Sequence, residues 1–273
     1  MKTRNRFVVL CEARTGSYHL ISKLDSCRDI VCHGELFKDK KVEVAHWFRK
    51  RLTVTDPSGR DSDAVGFIDS LQALTPRRHF GFKLFSQHLR RVPELHSLLF
   101  APDWRRVILV RDPIEVYASS LRAHATGIWT NTSERPKDRS ALDTQITFTP
   151  ESYEKFINHY NAFTGLAHYL AAMRHSFVIN YKDLSDPTAL DALLRFVGSR
   201  STAEEMSSDF KKQFSGTVSE GFTNWDEFQD YRAKQDRMLP LPVANYTKRR
   251  LVKQAKSAEA REHVASPETQ DRA

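Results

Sequence analysis

The sequence predicts an α/β protein built on a mostly parallel central sheet flanked by helices. Three observations predict it. Short apolar runs of strand character recur along the chain, amphipathic stretches of helical period alternate with them, and Gly, Pro and Asp punctuate the junctions. The 273 residues are enough for one such domain with a core of its own. Hydrophobic residues make up 40% and charged residues 28%, a globular balance that argues against a disordered, coiled-coil or membrane class.

Phe7-Val8-Val9-Leu10-Cys11 is an apolar run without helical period, the pattern of a buried parallel strand. It breaks at Glu12-Ala13-Arg14-Thr15-Gly16-Ser17, after which Leu20, Ile21 and Leu24 follow at helical spacing. His79 to Phe85 gives a second strand, with Phe80, Phe82 and Leu84 alternating against Gly81 and Lys83. Val107 to Val110 is the clearest strand. It runs into Arg111-Asp112-Pro113, and Pro113 suits the first position of a helix carrying Val116, Tyr117, Ser120 and Leu121. Pro150 to Met173 reads as a long amphipathic helix through Phe156, Tyr160, Phe163, Ala167 and Leu170. Ser176 to Tyr181 is a fourth strand, and a helix from Pro187 to about Val197 closes at Gly198. Lys50 to Gly66 and His124 to Thr149 read as polar loops, the latter either a lid or a surface excursion. The expected organisation is one domain over 1–252, with excursions at 38–78 and 124–149. Residues 253–273 form a polar extension, helical to about Val264.

Lys and Arg total 42 against 34 Asp and Glu, a formal charge of +8. Such an excess attracts nucleic acid, an anionic membrane or a phosphorylated small molecule. The basic residues sit at strand ends, and no nucleic-acid module or basic–aromatic stripe accompanies them, so the third is expected. The three cysteines, Cys11, Cys27 and Cys32, are an odd set with only His33 close by. They read as buried thiols, with neither a disulfide framework nor a metal site. The apolar run after Lys2, Arg4 and Arg6 is too short for a signal peptide, and no stretch approaches the about 20 apolar residues of a membrane span. A cytoplasmic protein without a transmembrane segment is expected. Monomer and homo-oligomer stay open.

A loop between a buried strand and a helix N-terminus presents backbone N–H groups and the positive end of a helix dipole to one point, which suits phosphate or sulfate. Arg14-Thr15-Gly16-Ser17 fits that geometry: Gly16 lets the backbone come close, Thr15 and Ser17 offer hydroxyls, and Arg14 a planar charged donor. The longer glycine loop of nucleotide triphosphatases, closed by Lys and Ser/Thr, is absent, since Ser17, Tyr18 and His19 follow Gly16. Arg111 stands at a second strand end with Ser119 on the following helix, so the two can converge on one phosphate. The alternative for Arg111 is a surface pair with Asp112.

Together these two clusters resemble the sulfotransferase superfamily, which uses 3′-phosphoadenosine 5′-phosphosulfate (PAPS) on a P-loop-like nucleotide-binding fold. Leu24-Asp25-Ser26 with Cys32-His33-Gly34-Glu35-Leu36-Phe37 is similar to its bacterial carbohydrate branch, which includes trehalose and nodulation-factor sulfotransferases. Phe80-Gly81-Phe82-Lys83-Leu84, Asn180-Tyr181-Lys182-Asp183-Leu184, Lys211-Lys212-Gln213 and Asn224-Trp225-Asp226-Glu227-Phe228 resemble further elements of the superfamily. Tyr18 departs from it, standing where relatives commonly carry a small hydroxyl residue.

The resemblance implies a transfer of a sulfuryl group from PAPS to a hydroxyl of a carbohydrate or glycolipid acceptor, without a metal. Arg14, Thr15, Gly16, Ser17, Tyr18 and His19 would hold the 5′-phosphosulfate. Arg111 and Ser119 would hold the 3′-phosphate, and Lys212 and Gln213 would close over the donor. Glu35 would be the base, its pKa raised from about 4.3 towards 6 by partial burial; outside the resemblance it is a glutamate in a Gly-Glu turn. His33 is the rival base or an acceptor contact. Lys83 lines the cleft or snorkels from a strand end, and Trp47, Trp129 and Phe148 are isolated exposed aromatics or, in one case, a stacking surface for a sugar. A nucleotide-binding phosphotransferase and a non-catalytic anion-binding protein on the same scaffold are the alternatives.

Overall fold

A computed structural model of the protein describes residues 5–45, 48, 57–134, 136–214, 216–235 and 237–244. Trp47, the extension 253–273 and the helix expected up to Val264 lie outside the described residues.

Strand β1 (Asn5–Cys11) leads into helix α1 (Ser17–Ser26), and β2 (Ile30–Glu35) follows at the sheet edge. Helices α2 (Pro57–Ser62) and α3 (Ala64–Ala73) return the chain to β3 (His79–Phe85), which lies between β2 and β1. The short helices α4 (Ser86–Arg91) and α5 (His96–Phe100) carry it past β1 to β4 (Trp104–Val110). Then come α6 (Pro113–Thr126), α7 (Arg139–Leu142), α8 (Pro150–Ala171), β5 (Ser176–Asn180), α9 (Pro187–Val197) and α10 (Trp225–Gln235). The strand order is β2-β3-β1-β4-β5, and all four pairings are parallel. The expected α/β architecture, a mostly parallel sheet flanked by helices, is the observed one.

Strand periodicity divides the core. Phe7, Val9 and Cys11 of β1 face α1 and α9, meeting Leu20, Leu24, Leu190 and Leu193. Val8 and Leu10 face the opposite way, towards Ile68 and Leu71 of α3 and Phe163 and Leu170 of α8. Both faces are covered, which is why β1 reads as a continuous apolar run. A third cluster joins Ile114 and Tyr117 of α6 to Tyr153 and Ile157 of α8, with Phe222 and Phe228 behind them. Local signals set the helix ends. Asp112 caps α6 by accepting from the N–H of Ile114 at 2.8 Å and of Glu115 at 3.1 Å, Pro113 takes the first turn, and Gly198 ends α9 with φ 88°.

Three expectations change. The Gly-Glu turn is the end of β2, with an irregularity between His33 and Glu35 in its pairing to β3. The stretch 50–66 is not all polar loop, because α2 buries Arg60, whose guanidinium donates to the carbonyls of Leu36 and Lys38 at 2.9 Å each. The end of the 124–149 excursion is core: Ile146 and Phe148 pack in the third cluster, so Phe148 is buried and offers no face to a sugar.

At Gly81 an added Cβ would come within 2.2 Å of the Phe7 ring in the next strand. Gly81→Ala should therefore destabilise the fold by about 1–3 kcal/mol, read as a lower denaturant midpoint with unchanged slope. An unaltered midpoint would show that Phe7 can move aside.

Candidate functional site

The chain crosses from one side of the sheet to the other between β1 and β4, adjacent strands whose continuations run opposite ways. Open α/β sheets bind ligands in the crevice that this reversal leaves at the strand C-termini. Here the crevice receives the loop after β1 and the loop after β4.

The first loop turns sharply, with Arg14 at φ 69° and Gly16 at φ 87°. Gly16 is required twice. It adopts the left-handed region, and a Cβ on it would stand 2.3 Å from the Tyr181 ring. Gly16 also caps α1 without a side-chain hydrogen bond, so the first N–H groups of that helix have no side-chain partner at the cap. Glu12 anchors the loop. Its carbonyl accepts from the Thr15 hydroxyl at 2.7 Å, and its carboxylate meets the Ser86 hydroxyl and the His159 ring, the latter at 3.1 Å. Thr15 is fully buried. The expectation that its hydroxyl serves a bound anion is corrected, because Glu12 already takes it.

The second loop delivers Arg111. Its Nη1 donates to the Arg14 carbonyl at 2.9 Å, its Nε to Glu115 at 2.8 Å, and its guanidinium lies 4.2 Å from the centre of the Tyr181 ring. The alternative surface pair with Asp112 does not form, since Asp112 is spent on the helix cap. Arg14 reaches across to α6, donating from Nε to the Ser119 hydroxyl at 3.1 Å, and also to the Trp129 carbonyl and the Gln213 side chain.

These groups wall one cavity of about 540 Å3, a size that takes a nucleotide-sized ligand. Of the residues expected to hold the donor, Arg14, Gly16, Ser17, Tyr18, His19, Arg111, Ser119, Lys212 and Gln213 line it. Segments distant in sequence complete the far wall. Thr132 bridges Phe210, the Ser133 N–H donates to the Asp209 carbonyl at 2.9 Å, and Gln213 donates to the Ile128 carbonyl at 3.2 Å. Trp129 stands at the cavity, 47% exposed. Among the described lining residues Arg14, Arg111, Arg122, Lys211 and Lys212 face a single carboxylate, Glu115. Burial lowers the pKa of Arg14 to about 10, and the charges of Arg111 and Arg122 press it the same way.

Glu35, His33 and Lys83 do not reach this wall. His33 is fully buried, its Nδ1 accepts from the Ala45 N–H at 2.9 Å, and burial lowers its pKa to about 3. It packs edge-on against Phe48 and Phe80. Its expected place at the acceptor is corrected to the core. Lys83 neither lines the cleft nor snorkels, but is fully buried with Nζ 3.0 Å from Glu35 Oε1. That contact is an ion pair without hydrogen-bond alignment. The Lys83 ammonium also lies 3.4 Å from the centre of the Tyr18 ring. Burial pushes the pKa of Glu35 up, but His88, Lys83 and Lys38 together outweigh it and hold the carboxyl at about 2. The expected rise towards 6 is therefore reversed, because a buried cation lies against the carboxylate.

Tyr18 links cavity and cluster. It lines the cavity, stacks on Phe210 at 5.4 Å, and places its hydroxyl 2.7 Å from Glu43 and 3.3 Å from Glu35. Sequence reading missed Tyr181, Glu115, Arg122, Phe210 and Phe214 as wall residues. Arg122 was accessible, three residues after Ser119 on the same helix; the others needed the fold. Among the described residues no group of His, Cys, Asp and Glu is placed to hold a metal ion, and no helix is long and apolar enough to cross a membrane.

No protein-family model and no curated protein matches the sequence. The chain is similar to a sulfotransferase from Alicyclobacillus acidocaldarius at 15% identity and TM-score 0.47, covering 85% of this chain and 92% of that one. It is similar to a mouse sulfotransferase complexed with PAP at 12% identity and TM-score 0.48, covering 96% and 90%. A third similar structure is the sulfotransferase domain of the Synechococcus PCC 7002 olefin synthase, at 14% identity and TM-score 0.44, covering 95% and 96%.

The folded-state pKa of Glu35 lies below its unfolded value, so its pairing stabilises the protein above about pH 4.3 and is lost as pH falls towards 2. Lys83→Met should thus be less stable than the native chain at pH 7, with the gap closing below about pH 4 as the unpaired carboxyl protonates. Denaturant midpoints between pH 2 and 7 measure it; a pH-independent gap would refute the pairing.

Proposed function

We propose that the chain is a sulfotransferase that moves the sulfuryl group of PAPS to a hydroxyl of a carbohydrate or glycolipid acceptor. One observation carries the reading. Arg14 with the first turn of α1, and Arg111 with Ser119, open onto the same basic cavity from two neighbouring strand ends. A nucleotide with a phosphate-bearing group at each end suits two such stations, and the motif resemblance identifies it as PAPS. The Arg14–His19 loop would take the 5′-phosphosulfate and Arg111 with Ser119 the 3′-phosphate.

Transfer needs the acceptor oxygen opposite the leaving phosphate, donors for the charge that develops there, and a base. The acceptor O–S bond forms as the bond from sulfur to the bridging oxygen breaks, and the proton of the acceptor hydroxyl passes to Glu35, which requires the Tyr18 ring between that carboxylate and the cavity to move aside. Glu35 at about 2 is a weak base while Lys83 holds it. Arg14 supplies positive charge at the transferred group. The absence of a lysine directly after Gly16 disfavours the phosphotransferase reading. The tight Glu35–Lys83 pair is the observation that favours binding without turnover as a second reading.

Calorimetry with 3′-phosphoadenosine 5′-phosphate should show binding, weakened about 10- to 100-fold in Arg111→Ala. A labelled-sulfate screen over saccharides and glycolipids should find an acceptor, with turnover at least about 100-fold lower in Glu35→Gln. Binding indifferent to Arg111 would remove the phosphate station, and unchanged turnover in Glu35→Gln would remove the base. Binding with no transfer to any hydroxyl would favour the second reading.

A further inference from the structure

Leu20, Ile21 and Leu24 pack α1 on the sheet, and Tyr18, on the first turn of that helix, is not among them. Its ring lines the cavity, yet the centre of the same ring lies 3.4 Å from the Lys83 ammonium. Phe85 covers that ammonium as well, at 4.8 Å, and Phe210 stacks on Tyr18 at 5.4 Å. Lys83 and Glu35, 3.0 Å apart, are both buried beneath.

The ring is held by its hydroxyl. The phenol donates to Glu43 at 2.7 Å, whereas Glu35 stands further off at 3.3 Å. Glu43 is itself anchored: Lys38 Nζ donates to it at 2.8 Å, the Lys41 ammonium lies at 3.4 Å, and its N–H donates to the Glu35 carbonyl at 3.0 Å. Burial and the two carboxylates raise the pKa of Tyr18, so the phenol keeps its proton and the bond persists. A hydrogen bond to an ionised acceptor is about twice as strong as a neutral one. One such bond and a stack therefore hold a side chain on which the helix core does not depend. It can swing without unpacking α1.

We propose that Tyr18 is a gate, latched by Glu43, that closes the donor cavity off from the Glu35–Lys83 pair. The closure stands on geometry; its use rests on the reading of Glu35 as base. A base open to a wet cavity would pass the sulfuryl group to water, and excluding water prevents that side reaction. In it the water oxygen bonds to sulfur as the bridging S–O bond breaks, Glu35 takes the proton, and sulfate and 3′-phosphoadenosine 5′-phosphate leave.

Two measurements test the gate in the native chain, Tyr18→Phe and Tyr18→Ser, with melting temperatures for each. The first is the rate at which acetic anhydride acetylates Lys83, read by peptide mass spectrometry against exposed Lys155. Native Lys83 should react at least about 10-fold more slowly than Lys155. Tyr18→Phe keeps the ring but loses the latch, and should label Lys83 about 10-fold faster than native. Tyr18→Ser should label it faster still. The second is sulfate release from saturating PAPS without an acceptor, which should rise in Tyr18→Ser and fall back when Glu35→Gln is added. Native Lys83 as reactive as Lys155, or native protection in variants that melt like the native chain, would overturn the gate. Faster labelling with no gain in sulfate release would leave the gate standing and remove Glu35 as base. Should Tyr18→Ser fail to fold, native protection in a stable Tyr18→Phe would overturn the latch by itself.

Discussion

The parallel pairing of β1 with β4 is the constraint on which the site depends. Its register, Arg6 against Trp104 through Leu10 against Ile108, ends the two strands side by side. Loops whose arginines stand 97 residues apart are thereby brought within a hydrogen bond, with Arg111 donating to the Arg14 carbonyl. A backbone acceptor ties the two arginines together, where their charges alone would push them apart. Tyr181 at the end of β5 fills the angle between them, flat under Arg111 and against the bare backbone of Gly16. The sheet thus gathers like charge at one place.

The arrangement separates two kinds of electrostatics. In the cavity the basic groups outnumber the acidic, and Arg14 is pressed by its neighbours. Behind Tyr18 the charges are matched: Glu35 with Lys83 and His88, and Glu43 with Lys38 and Lys41. The first region carries an excess of positive charge, whereas the second is satisfied internally. Tyr18 belongs to both, with its ring on Lys83 and Phe210 and its hydroxyl between two carboxylates. Burial and neighbouring acids raise its pKa, so the phenol stays protonated and keeps donating to those carboxylates. Tyr18 therefore puts an aromatic wall between the cavity and the carboxylate proposed as base.

Much of the fold was legible in the chain because its signals are local. Apolar runs bounded by turns mark β1, β3, β4 and β5, and Pro113, Pro187 and Gly198 mark helix ends by their fixed or permissive backbone angles. Strand β2 was hidden because Cys32-His33-Gly34-Glu35 mixes polar with apolar residues, and its place in the sheet follows from pairing with β3 rather than from its own pattern. The loop after β1 and Arg111 with Ser119 were likewise readable as strand ends followed by helices. The sequence by itself determined the α/β class, the two strand-end clusters and the excess of positive charge. Only the tertiary structure decided that both clusters share one cavity, that His33 is core, and that His88, Lys83 and Lys38 together hold Glu35 at about 2. These outcomes turn on burial and on charges many residues away, and a pKa or a pairing is set by what surrounds a side chain in space, which neighbours along the chain do not specify.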